Sequence, residues 1–135
     1  MNTSSAVVIH SIAAAPWYVL LHLSLSLGAL AIGVWSLARR KGDRLHKILG
    51  WVWVCLMLAT AAISFAIQGR GRFSMIHVLS VVVLVAVPLG VLHARRGNLR
   101  AHSYTMASTF AGLAIAGAFT LLPYRMLGQF VFGAR

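Results

Sequence analysis

Acidic side chains are all but missing from this chain: Asp43 is the single carboxylate residue among 135. Proton- and sodium-coupled transporters bury Asp or Glu along their path, so a coupled pump or antiporter is not expected. Paired-carboxylate chemistry is excluded on the same ground, and no nucleophile–base triad stands out. There is one cysteine, Cys55, so no intramolecular disulfide can form and the redox compartment is not revealed. Low-complexity tracts and linkers are absent. Residues 1–15 lack a basic segment and run directly into an apolar one, so no cleavable leader is expected. Charge of either sign is scarce, at 10% of residues.

What fills the chain instead is apolar: 60% of residues are hydrophobic, well beyond a soluble domain of this size. Four runs, about 17–38, 47–68, 75–93 and 103–123, are long enough for membrane spans of roughly 20 residues each. Lipid leaves helices as the structure for such runs. Short loops make neighbours antiparallel, giving an all-α, integral membrane, up-down-up-down four-helix bundle as a single domain over 1–135. Four short helices enclose too little volume for an aqueous channel unless the protein forms an oligomer, a state that the sequence leaves open. Stripes of small residues, Ser26, Ala29 and Gly33 in one span and Ser108, Gly112 and Ala116 in another, favour close helix approach. Pro88 is expected to kink the third span. Trp17, Tyr18 and Tyr124 fall where an interfacial aromatic belt would lie.

The net charge of +11 reads as topology, not as a nucleic-acid signature. Arg39, Arg40, Lys41, Arg44 and Lys47 cluster in or beside the first loop, and Arg95, Arg96 and Arg100 in the third. Arg70 and Arg72 alone occupy the second. By the positive-inside rule loops one and three face the cytoplasm and both termini lie outside, with Arg125 and Arg135 a minor counterweight.

These basic loops contain a repeat. Residues 38–46 and 94–102 both read A-R-R-x3-R-x-H, and each copy ends in a histidine, His46 or His102, at the mouth of an apolar run. The preceding runs also carry a histidine near their start, His22 and His77. A duplicated helical hairpin calls for a pseudo-two-fold axis along the membrane normal. That axis sets His22 opposite His77 near the outer boundary and His46 opposite His102 near the inner one. Diagonal histidine pairs across a four-helix bundle have the geometry of axial ligands to haem iron. Gly50, one turn after His46, would leave room for a macrocycle. Thr105, Met106 and Thr109 share a face with His102. Arg44, Lys47 and Arg100 are candidates to pair with haem propionates at the inner site, as are Arg70 and Arg72 at the outer one. Beside this stands the plainer reading of each histidine as a cap, a snorkelling group or a headgroup contact. It applies more readily to His46 and His102 than to His22 and His77, which lie inside the apolar zone. His93 has no counterpart in the first hairpin and is read as a surface residue, with a propionate or quinone contact as its alternative. His10 is read as solvated. Zinc or copper is less favoured, because no Cys, Asp or Glu accompanies either pair.

At residues 41–50, 73–77, 100–102 and 116–123 the chain resembles a family of bacterial four-helix membrane proteins, domain of unknown function 2306, over about residues 17–125. The four-histidine layout is also similar to the core of cytochrome b561. In that family, histidines of the first and third helices hold one b-type haem, and those of the second and fourth hold another. The resemblance implies that His22 and His77 hold an outer haem b, that His46 and His102 hold an inner one, and that the protein sits in a bacterial inner (cytoplasmic) membrane. It also implies electron transfer across the bilayer, as a transmembrane oxidoreductase with a quinone or another redox partner. No catalytic side chain is assigned, since the cofactor would supply the chemistry. With about 20–25 Å between the two planes along the bundle, direct transfer between haems is compatible with the layout. Two further readings stay open: a haem-free membrane protein that assists assembly or binds lipid or quinone, and a carrier or sensor with a single haem.

Overall fold

The computed structural model describes residues 15–67 and 75–120. Within them lie four helices: α1 (Trp17–Ala38), α2 (Arg44–Ser64), α3 (Met75–Arg95) and α4 (Leu99–Thr120). Each is 21 or 22 residues long, or about 32–33 Å at 1.5 Å per residue, the thickness of a bilayer core. The expected all-α bundle is present. Arg70, Arg72, His10, Tyr124, Arg125 and Arg135 lie outside the described residues, as do the expected ends of the second and fourth spans.

The helix starts differ from the expected spans for a local reason. Helix α2 begins at Arg44 because the Asp43 carboxylate accepts the His46 backbone N–H at 2.6 Å and caps the first turn. Helix α4 begins at Leu99, where the Asn98 side chain accepts the Ala101 N–H at 3.1 Å. The end of α3 is equally specific. Gly97, at φ +75°, donates to the Ala94 carbonyl, and Asn98 donates to that of His93. This is the left-handed glycine closure that satisfies a helix's last carbonyls. Both copies of the basic motif therefore share a second feature, a left-handed glycine (Gly42 or Gly97) followed by a capping Asp or Asn.

Three helices, α1, α2 and α3 from His77, are apolar enough as well as long enough to cross a membrane. Helix α4, also expected as a span, has the length but is more polar. Its first three turns carry Arg100, His102, Ser103, Tyr104, Thr105, Ser108 and Thr109. Ser108 and Thr109 return their hydroxyls to carbonyls one turn back, which removes much of the cost of placing them in an apolar setting.

The helices form a ring in chain order, with α4 returning to α1 across the thinnest of the four edges. Helices α1 and α3 are thus diagonal, as are α2 and α4. Ala29, Trp53, Val54, Met57, Ala61, Val83 and Val87 make the core. Gly33 is part of the expected small-residue stripe and is needed there. A Cβ at that position would stand 2.6 Å from the Phe110 ring and 2.8 Å from Trp53 Nε1. Helix α3 continues through Pro88, which is exposed. At the start of α1, Trp17 and Tyr18 meet edge to face at 5.9 Å.

Candidate functional site

His46 and His102 are brought together. Both line a cavity of 760 Å³ that opens at the end of the bundle where the two basic loops lie. All four helices contribute: Gly33, Ser36 and Leu37 from α1, and His46, Lys47, Gly50, Trp51, Trp53 and Val54 from α2. Val91, Ala94 and Arg95 come from α3, and Leu99, His102, Ser103, Met106 and Phe110 from α4. The volume lies within the usual range of roughly 300–1,000 Å³ for cofactor and ligand pockets, as does the mostly apolar wall with a few convergent polar groups.

The wall follows from helical spacing. His46, Gly50, Trp53 and Val54 stand at i, i+4, i+7 and i+8 on one stripe of α2, and His102, Met106 and Phe110 repeat the pattern on α4. Nothing lies within 4 Å of where a Gly50 Cβ would be, so this glycine leaves open space in the cavity wall. Gly90 has the opposite role. A Cβ there would come within 2.6 Å of the Met106 tip, so its absence lets α3 and α4 approach closely. That approach places the Gly90 carbonyl 2.8 Å from His102 Nδ1.

A carbonyl oxygen can only accept, so His102 must donate from Nδ1, which directs Nε2 as the remaining ring nitrogen. His22 is held in the same way, with Nδ1 donating to the Thr60 carbonyl at 3.1 Å. His46 Nδ1 is 3.4 Å from the Ser36 hydroxyl, which can take either role. Metal-binding imidazoles are typically held through the second ring nitrogen in this manner, which fixes the tautomer and orients the ligating atom.

The other two histidines sit at the far end. His77 is 4% exposed, with its ring 5.7 Å from that of Phe65. Ser80, one turn along from His77, and Ser64, the neighbour of Phe65, hydrogen-bond through their hydroxyls across α2 and α3. Thr60 and Ser64 are successive turns of α2, so His22 from α1 and the His77 region of α3 attach to the same end of that helix. The levels can be read along two helices independently. His46 lies fourteen residues before Thr60, the level of His22, about 21 Å along α2. His77 lies thirteen residues before Gly90, the level of His102, about 20 Å along α3. The spacing along α2 and α3 is therefore similar, while the Ser64–Ser80 bond sets His77 seven residues, about 10 Å, farther along the bundle than the Thr60 level of His22. Among the described residues, no three His, Cys, Asp or Glu side chains gather in one place.

Of the cations expected beside the inner pair, Lys47 lines the cavity, while Arg44 and Arg100 are exposed and lie outside its wall. Lys41 and Arg95 line it instead, with the Arg95 guanidinium 5.9 Å from the Trp51 ring centre. Thr105 and Thr109, expected on the His102 face, also lie outside the wall, and Thr109 is buried in the bundle. Two residues of the site were not singled out from sequence. Ser36 is the hydroxyl at His46, and Trp53 is 5% exposed with its indole N–H lacking an acceptor. A buried indole N–H normally finds one. Trp53 was legible as the residue one turn beyond Gly50 on the His46 stripe.

Among curated proteins and among solved structures, nothing matches the chain. The family model described as "Predicted membrane protein (DUF2306)" matches residues 19–134, which takes in both hairpins and all four histidines, and the chain belongs to that family.

Proposed function

We propose that the protein is a b-type membrane cytochrome that carries electrons across the bilayer. In this reading His46 and His102 hold haem b at the inner end, and His22 and His77 hold a second haem b at the outer end. One observation carries it: two imidazoles from diagonal helices, each the last residue of the same repeated motif, face one cavity of 760 Å³. Bound haem supplies one-electron chemistry. The chain's own residues do the rest. The Gly90 and Thr60 carbonyls hold His102 and His22 by Nδ1 and leave Nε2 to ligate. Ser36 steadies His46. Gly50 gives the ring system room, and the apolar wall of Val54, Val91, Met106 and Phe110 excludes water. We place the protein in a bacterial inner membrane with the basic loops cytoplasmic and both termini outside, and take a quinone as the type of redox partner that suits such a carrier.

A single-haem carrier is the second reading, favoured by the fact that the cavity takes only the inner pair. The deciding experiment is a reduced-minus-oxidised visible spectrum of the purified protein with haem quantified per chain. Two low-spin b-type haems are expected. Changing His46 or His102 to Ala should remove one, and changing His22 or His77 should remove the other. Equal loss of both in every variant would count against two independent sites, and one haem lost only with His46 or His102 would favour the carrier. A colourless protein, even after haem is supplied during expression, would sink the proposal in favour of a haem-free assembly, lipid- or quinone-binding protein.

A further inference from the structure

Three cationic side chains, Lys41, Lys47 and Arg95, line the inner cavity, and the chain has no acid to give them. Its one carboxylate residue, Asp43, is already engaged. It meets the Arg39 guanidinium at 3.1 Å and accepts the His46 N–H at 2.6 Å. The rim is assembled from both basic loops, with Lys41 and Lys47 on either side of His46 in the sequence and Arg95 at the end of α3. Arg95 is further held against the wall by the face of Trp51 at 5.9 Å. Below the rim the wall turns apolar. A cavity with an apolar body and a cationic, acid-free mouth is matched by an amphiphile that brings its own negative charge.

We propose that Lys41, Lys47 and Arg95 form the carboxylate receptor of this site, and that they select a ligand with a planar apolar body and two carboxylates at one edge. This rests on the haem reading, since the porphyrin of haem b carries two propionates. It assigns the charged edge to the mouth and the apolar edge to Trp53 and the bundle centre. Arg44 and Arg100 have no part in it, being exposed outside the wall.

The test compares protoporphyrin IX with its dimethyl ester, each with and without iron, on the full chain purified in neutral detergent. Binding is followed by absorbance for the iron forms and by fluorescence for the iron-free forms. The diacid should bind about tenfold or more tighter than the ester, the value of one or two charge-assisted hydrogen bonds. Combining Lys41→Gln, Lys47→Gln and Arg95→Gln should abolish that preference while leaving ester affinity unchanged. Combining Arg44→Gln and Arg100→Gln should preserve the preference. Equal affinity for acid and ester in the unaltered protein overturns the proposal, and that comparison needs no variant to fold. A preference that survives in the triple variant overturns it too. The iron-free pair separates the rim from the iron. If the diacid preference holds there but His46→Ala and His102→Ala leave iron-porphyrin spectra unchanged, the rim stands and the haem-ligation reading falls. If no porphyrin binds, both fall.

Discussion

A methyl group added at Gly50 would meet nothing within 4 Å, whereas one added at Gly33 would press on the Phe110 ring and Trp53 Nε1 at 2.6 and 2.8 Å. The same substitution should therefore have opposite signs at two residues of one cavity. Gly50→Ala should stabilise the protein by about 0.5–1 kcal/mol, because alanine loses less backbone entropy in a helix. Gly33→Ala should destabilise it by about 1–3 kcal/mol, because the ring and the indole are both held by packing. Thermal unfolding in detergent reads both. A larger side chain at Gly50 tests the cavity itself. On the haem reading, Gly50→Phe should displace ligand from the inner cavity, seen as loss of one haem per chain, while its melting midpoint matches that of the unaltered protein stripped of haem. Unchanged haem content in that variant would place the ligand elsewhere.

At the scale of the element, the start of α2 does two jobs. Asp43 caps the helix, and the N–H it accepts belongs to His46, so the cap also fixes where that histidine sits on its first turn. The His46 backbone N–H and then the Arg39 guanidinium hold the Asp43 carboxyl below the ordinary aspartate range. It is charged at neutral pH. Asp43→Ala should cost about 1 kcal/mol of stability, the usual value of a lost cap, and Asp43→Asn much less, since the amide oxygen can still accept. Equal melting points for the two variants would show that the cap contributes nothing.

The elements also show what the sequence could tell. Long apolar runs made all four helices legible, and the histidine at each motif's end made the inner pair legible. The helix starts were not, because the caps at Asp43 and Asn98 extend the helices by three and four polar or basic-rich residues ahead of the apolar runs. Of the three propionate candidates Lys47 lines the cavity, and helical phase keeps Arg44 and Arg100 out of its wall. Arg44 and Arg100 each stand two residues before a histidine, about 200° around the helix, and residues so spaced do not share a face. Arg95 shares a face with Val91, one turn back, and both line the cavity.

For the whole molecule, both basic loops lie at one end of the ring, around one cavity mouth. Every described Lys and Arg is therefore concentrated there: Arg39, Arg40, Lys41, Arg44, Lys47, Arg95, Arg96 and Arg100. A charge asymmetry this steep should fix a single orientation in the membrane, with that end cytoplasmic. Cysteine labelling tests it, because the chain's one native thiol, Cys55, lies on an exposed face of α2 and can be removed as Cys55→Ala. In that background Arg40→Cys and Arg96→Cys each place an exposed thiol in a basic loop, and Trp17→Cys places one at the opposite end. A membrane-impermeant maleimide applied from outside should label Trp17→Cys in intact cells. The two loop variants should react only after the membrane is opened. The reverse pattern would place the cavity with His46 and His102 at the outer face of the membrane. Labelling of all three in intact cells would mean that the arginine clusters serve the cavity mouth and do not set topology.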